Sequence, residues 1–365
     1  MKSYSGKSGK VYRLEDNPLG KGGEGAVYAI ANDSAHVAKL YHPHVKFQTE
    51  ADRKELQEKI ETMYAMKIRT KIDGILRVAW VEDILFENGK FVGFIMPRLT
   101  VPYKIFQVTR DDRMRIFPNF TWKYSVQYAY NLSWVVWYLH MNDIIIGDMN
   151  MNNIAVGPKG EVVLIDCDSF DIRNKKTGKH HKCTVGLQEL LAPELQMVGK
   201  LADATFTKES DNFSLAIHIF RLLMNNADPF GAQVVGYNTD SKSTVDANHA
   251  IINGECPHFR SVPMKKVPDW APKLDFLPED IIHAFDRTFN YTQTTALKNA
   301  KNRTTAEEWN RLLLKYAEAE PNANLQTCPK DSSHVYPIHH TTCPFCTVQK
   351  KPGFFERLKG LFGGR

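Results

Sequence analysis

The chain has 365 residues, 43% of them hydrophobic and 24% charged, an ordinary globular balance that can fill the cores of two or three domain-sized units. The formal net charge of +6 suits polyanionic ligands such as nucleotides but is too small to argue for nucleic acid by itself. The start, MKSYSGKSGKVYR, lacks the apolar region of a signal peptide, and the longest apolar run, 132–139, is too short to span a membrane and carries Trp134 and Trp137.

Residues 11–98 read as strand-rich. Alternating runs occur at 26–30, 36–41 and 91–96, the last after an Asn88-Gly89 turn signal. One helical stretch, 47–68, interrupts them, with Leu56, Ile60, Met63, Tyr64 and Lys67 near one face. Beyond Met96-Pro97 the pattern turns helical. A helix is expected over 122–140, with Tyr130, Trp134 and Trp137 at core-like spacing, then a hairpin of 154–156 and 162–165 around Gly157-Pro158-Lys159-Gly160. Ser210 reads as the N-cap of an apolar helix through Phe213, Ile217 and Phe220, and further helices fit 279–289 and 305–319. Residues 321–326 look like a linker before a Cys/His cluster at 328–346 and a final stretch, 350–365, that mixes Phe and Leu with Lys and Arg.

Gly20-Lys21-Gly22-Gly23-Glu24-Gly25-Ala26-Val27 matches G-x-G-x-x-G-x-V, in which glycine lets backbone amides approach phosphate. The motif lies between strand patterns, not ahead of a helix, which disfavours a dinucleotide fold. The strand that follows carries Lys39 between apolar Ala38 and Leu40, and a buried ammonium needs phosphate oxygens or a helix carboxylate as partner. Farther on, Asp148 and Asn153 share a loop, and Asp166 ends the strand after it. Together they form a set of hard oxygen ligands suited to Mg²⁺ holding phosphates.

These motifs together resemble the protein-kinase fold, over most of 11–318. The resemblance implies an α+β fold with a β-rich N-lobe (1–98) and a helical C-lobe (99–318). Gly20, Gly22, Gly25 and Val27 would cover the phosphates of ATP, and Lys39 would bind them. Asp148 would be the catalytic base, and Asn153 and Asp166 the Mg²⁺ ligands. Glu58 is the expected carboxylate partner of Lys39, with Glu61 as the alternative. Leu191-Ala192-Pro193-Glu194 resembles the A-P-E motif and Arg303 the late arginine that pairs with its glutamate. The family pattern is departed from at Gly147 and Asn150, where arginine and lysine are usual, and at Asp166-Cys167-Asp168, which stands for D-F-G. The missing lysine charge implies slower phosphoryl transfer. Ser169, Thr177 and Thr184 are candidate autophosphorylation sites.

The stretches VGFIMPRL, IIIGDMNMNNIAV, LIDCDSF and SDNFSLAIHIF are similar to a bacterial branch associated with PP2C-type phosphatases and von Willebrand A-domain proteins, including tellurite-resistance-type triads. The expected activity is ATP/Mg²⁺-dependent Ser/Thr phosphorylation of a protein, with a von Willebrand A-domain protein as candidate substrate and a PP2C phosphatase as antagonist. The alternative is a nucleotide-binding pseudokinase acting as scaffold or switch.

Three of the six cysteines fall in one C-terminal window, which reads as a metal site plus reduced thiols and suggests a cytoplasmic location. Cys328, Cys343 and Cys346 with His334 would form a Cys₃His zinc site, with His339 or His340 as replacement for His334. The plan after the C-lobe is a linker (319–327), a zinc module (328–348) and a basic amphipathic tail (349–365). No dense basic-aromatic patch surrounds the module, so partner docking or bracing is expected of it rather than nucleic-acid binding.

Overall fold

A computed structural model describes residues 1–110, 113–235, 247–318 and 323–347. The expected tail therefore lies outside the described residues, as do residues 319–322 of the linker. The fold is mixed α/β.

The first part is a closed antiparallel barrel of six strands: β1 (Lys2–Gly6), β2 (Val11–Lys21), β3 (Gly25–Ile30), β4 (Asp33–Tyr41), β5 (Asp83–Glu87) and β6 (Lys90–Pro97), in the order β1-β2-β3-β4-β6-β5. The strand β1 was not anticipated from its own residues. It exists because it pairs with β2 on one side and β5 on the other and so closes the barrel. Period-two alternation sorts the side chains of β4: Ala38 joins Tyr4, Tyr12, Leu14, Ile30, Leu85 and Ile95 in the barrel interior, while Tyr41 faces the main core. Lys39, one residue from Ala38, is therefore directed outward on the Tyr41 side.

Helix α1 (Glu50–Met66) follows β4. Thr49 and Asp52 form its capping box: the Asp52 amide donates to Thr49 Oγ1 at 3.1 Å and the Thr49 amide to Asp52 Oδ2 at 2.8 Å. Ile60 and Met63 are its fully buried side chains.

The second part is built around α2 (Trp122–Met141) and α3 (Lys208–Leu223). The buried stripe of α2 is Val126, Ala129, Leu132, Val135, Val136 and Leu139. Tyr130, Trp134 and Trp137, expected in the core, are only half-buried; Trp134 stacks on Tyr138 and carries the Arg77 guanidinium over its ring. Helix α3 begins earlier than anticipated. Thr207 is the N-cap and Ser210 closes the capping box from the third position, because the Thr207 hydroxyl accepts the Ser210 amide. Phe213 and Phe220 of α3 pack with Phe285 and Phe289 of α4 (Glu279–Phe289), and Trp309 of α5 (Ala306–Ala317) packs on Phe285.

A three-stranded sheet joins β7 (Tyr103–Lys104), which precedes α2, to β8 (Ile154–Val156) and β9 (Val162–Leu164), which follow it, and the small ladder of β10 (Ile172–Arg173) with β11 (His180–His181) comes before α3. The chain ends its described course in a hairpin, β12 (Leu325–Cys328) and β13 (Asp331–Pro337). The expected linker is thus shorter than proposed, since Leu325 and Gln326 already pair with Pro337 and Tyr336.

Candidate active site and metal cluster

Lys39 sits opposite Val27 on β3 and Phe94 on β6. Its ammonium donates to Asp166 Oδ1 at 2.5 Å and to Asp168 Oδ1 and Oδ2 at 2.7 and 2.8 Å, and Tyr41 donates its hydroxyl to Asp168 Oδ2 at 2.7 Å. Burial alone would lower the Lys39 ammonium, but the pull of Asp168 and then Asp166 wins and holds it above the ordinary lysine range. Desolvation and the neighbouring Asp168 push the Asp166 carboxyl up, whereas Lys39 keeps Asp168 ionised despite its burial. The two differ in access: the Asp166 side chain is 42% exposed and that of Asp168 only 3%. Asp166 can therefore reach a cation from the open side.

Asn153 donates its amide nitrogen to Asp148 Oδ2 at 3.1 Å. That orientation leaves Asn153 Oδ1 as an oxygen donor for a metal, and it steers the Asp148 carboxylate. Desolvation, then the charge of Asp166, raises the Asp148 carboxyl above its usual range. The loop carrying both residues hangs from α3. Asp211 accepts the Ile146 amide at 2.7 Å, the Gly147 amide at 2.9 Å and His140 Nε2 at 3.0 Å, and His218 donates Nε2 to the Met149 carbonyl at 2.6 Å. Burial depresses His218 to about 4, so it stays neutral there.

The glycine loop is shaped by two kinds of glycine. At Gly25 a Cβ would come 2.4 Å from the Leu40 carbonyl oxygen, so only glycine lets β3 lie this close to β4. At Gly20 a Cβ would meet nothing within 4 Å, and at Gly22 only the Gly25 carbonyl at 3.7 Å. These two leave the outer side of the loop open, room that a phosphate chain could use.

Glu58 does not reach Lys39. It is half-buried on another side of α1 and pairs with Lys179, while Glu61 pairs with Lys7 at 2.7 Å. The reason is helical phase. With Ile60 and Met63 turned into the core, Glu58 lies about 200° from Ile60 around the axis, toward the β10–β11 ladder. Cys167 is wholly buried and donates its thiol to the Ala79 carbonyl at 2.9 Å. Arg303 donates both terminal nitrogens to Glu194 at 2.7 Å, the pairing that the resemblance implied.

Gly147 has φ of +74° and lies under Cys183, whose Sγ would be 2.6 Å from a Cβ at 147. The Cys183 amide donates to Asp171 Oδ2 at 3.1 Å, and His180 and Asp171 pair at 2.5 Å. Thr177 and Thr184 are exposed; Ser169 is half-buried and donates to the Asp166 carbonyl.

At the other end of the chain, the hairpin and the turn after it bring Cys328, His334, Cys343 and Cys346 together, with all four donor atoms within 4.8 Å of one another. Cys328 Sγ and Cys346 Sγ are 3.6 Å apart, and His334 Nδ1 is 3.6 Å from Cys343 Sγ and 3.5 Å from Cys346 Sγ. Zinc bonds of about 2.0–2.3 Å give a tetrahedron with edges of roughly 3.5–3.8 Å, so the group fits that ion. Burial opposes ionisation of Cys328, but the amides of Lys330 and Asp331 and the neighbouring thiols bring it down to about 7, which favours the thiolate a metal needs. His334 Nε2 faces Asp331 Oδ2 at 3.5 Å, a carboxylate that orients the ring. His339 and His340 are elsewhere: their Nε2 atoms donate to the carbonyls of Asp275 and Phe276 at 3.2 and 3.0 Å. Phe345 packs edge-on against Phe276.

Over 347 residues, 91% of its length, the chain is 30% identical to the protein named Protein kinase YegI of Escherichia coli strain K12, and to its counterpart of the same name in Escherichia coli O157:H7. It resembles a bacterial kinase. The chain spans about half (48%) of the length of these curated relatives. No protein-family model matches it.

Sequence reasoning missed Tyr41 and assigned no role to His218. Tyr41 belongs to no local motif, and His218, although inside the stretch SDNFSLAIHIF, is picked out only by the carbonyl it touches.

Proposed function

We propose that the chain is an ATP- and Mg²⁺-dependent Ser/Thr protein kinase of two lobes, 1–98 and 99–318. The observation that carries the reading is the convergence of Lys39, Asp166, Asp148 and Asn153, from three separate segments, on one open site, in a chain similar to proteins named as kinases. Lys39 would hold the phosphates, and Gly20, Gly22, Gly25 and Val27 would cover them. Asp166 and Asn153 would ligate the magnesium, which neutralises phosphate charge when bound. Asp148, its proton affinity raised by burial, would accept the proton of the substrate hydroxyl. Cys328, His334, Cys343 and Cys346 would hold a structural zinc, and the module they close braces the C-lobe through His339, His340 and Phe345. A von Willebrand A-domain protein as substrate, a PP2C phosphatase as antagonist and a cytoplasmic setting remain parts of this reading. They are supported by the motif resemblance and the reduced cysteines. Among the described residues no helix is long and apolar enough to cross a membrane.

A second reading, the nucleotide-binding pseudokinase, is favoured by Asn150. Its side chain caps the local turn by accepting the Asn152 amide at 2.9 Å and puts no cation where the usual lysine would be.

Labelled ATP and Mg²⁺ decide between them. Wild type should incorporate phosphate, while Asp148→Asn should lose about 10²–10⁴-fold in rate yet still bind ATP, and Lys39→Met should lose both. Equal labelling of wild type and Asp148→Asn would remove Asp148 as the base. No labelling with ATP binding intact would leave the pseudokinase.

A further inference from the structure

The carboxylate expected to aim Lys39 from α1 is absent from the site, yet Lys39 is aimed. We propose that Asp168 is the positioning residue of Lys39, and that it does from the turn after β9 what a helix glutamate was expected to do from α1. The inference rests on the reading of Lys39 as the phosphate-binding lysine.

Both oxygens of Asp168 are taken up. Lys39 reaches each of them, at 2.7 and 2.8 Å, and Tyr41 adds a third donor at 2.7 Å. A carboxylate only 3% exposed is costly to bury without such partners. The same commitment makes Asp168 a poor metal ligand, because a cation would have to displace Lys39 or Tyr41. The metal role falls to Asp166, which is open to solvent on one side and shares Lys39 through a single oxygen. When Lys39 turns toward phosphate it can release Asp166 to the cation and keep Asp168. The third residue of the D-F-G position, glycine in the usual pattern, is here the anchor.

Helix α1 agrees with this exchange of roles. The α1 side chain that feels Asp168 is a cation, Lys59; desolvation lowers its ammonium, and Asp168 supplies the largest opposing attraction. Among the described residues the Lys59 ammonium makes no hydrogen bond or ion pair of its own. A glutamate from α1 would repel Asp168 in this setting, whereas Lys59 offsets it.

The test uses the full chain and two readouts. The first is the acylation rate of Lys39 by acetic anhydride without nucleotide, measured by mass spectrometry against exposed Lys90. The second is phosphoryl transfer, with kcat and the KM for ATP determined separately. Asp168→Asn should speed Lys39 acylation about tenfold, because the ammonium loses its two charged contacts to Asp168 and is freed to meet the reagent. It should also lower kcat/KM by about 10- to 100-fold, the scale of one charged hydrogen bond, with Asp168→Glu recovering part of the loss. Unchanged acylation and kinetics in a folded Asp168→Asn would overturn the proposal. If Asp168→Asn does not fold, Asp168→Ser decides by the same labelling: faster Lys39 acylation supports the proposal, and an unchanged rate rejects it. Should wild type transfer no phosphate, the kinase reading fails by itself, and the labelling still decides what Asp168 does for Lys39.

Discussion

The two clusters of this protein are assembled in opposite ways. Lys39 meets Asp168 across 129 residues of chain, and the loop that carries Asp148 hangs from Asp211, 65 residues beyond Ile146. The Cys/His group is gathered within one hairpin and a turn, Cys328 to Cys346, only 18 residues apart. The first group is held by its own salt bridges and by the cores around it. The second has thiols crowded at metal-binding spacing, with little apolar mass inside to justify the crowding. One site is a product of the tertiary fold; the other lies within a single short fold element.

The largest expected effect breaks the local half. Elemental analysis should find one zinc per chain, and substituting Cys346→Ser, or stripping metal with a strong chelator, should abolish it. Hydrogen exchange in 325–347 should then rise to the unprotected rate while α2 and α3 stay protected, since binding free energy is folding free energy in so short a segment. A hairpin that remains protected without metal would undo the contrast.

The long-range half should break elsewhere. Arg303 is fully buried and paired with Glu194, so Arg303→Leu leaves an uncompensated buried carboxylate. A loss of about 3–5 kcal/mol in urea unfolding is expected, with zinc content unchanged. A loss below 1 kcal/mol would mean the pair is replaceable.

A smaller effect sharpens the comparison through pH. His218 is depressed to about 4 in the fold, against an ordinary unfolded value near 6.5. A histidine lowered by folding contributes stability that is fully present above the unfolded value and is lost as pH falls from about 6.5 to 4. About 2–4 kcal/mol should disappear across that window, and His218→Asn should flatten that part of the profile. An unchanged profile would show that His218 is not held neutral by burial.

Legibility in the sequence followed the same division. The grouping of Cys328, Cys343 and Cys346 with His334 could be read, because C-x-x-C spacing and a nearby histidine are local facts. Lys39, Asp148, Asn153 and Asp166 could be placed because their order along the chain matches a known pattern, although their convergence needed coordinates. The phase of α1 could not be read: it carries Glu55, Glu58 and Glu61 with only a weak apolar stripe, and packing against β5, β6 and the β10–β11 ladder turns it so that Lys59 senses Asp168. The strand β1 was hidden for a similar reason, since partners rather than composition make it a strand.

Gly147 and Cys183 carry a consequence for substitution. The left-handed backbone at 147 and the sulfur seated 2.6 Å from where a Cβ would stand bind the two positions together. An arginine placed at 147 alone would strain the loop and evict the thiol, at a cost of about 1–3 kcal/mol. A smaller residue placed at 183 alone would open a void. The cost of each change depends on the other, so the two positions tolerate substitution only as a pair.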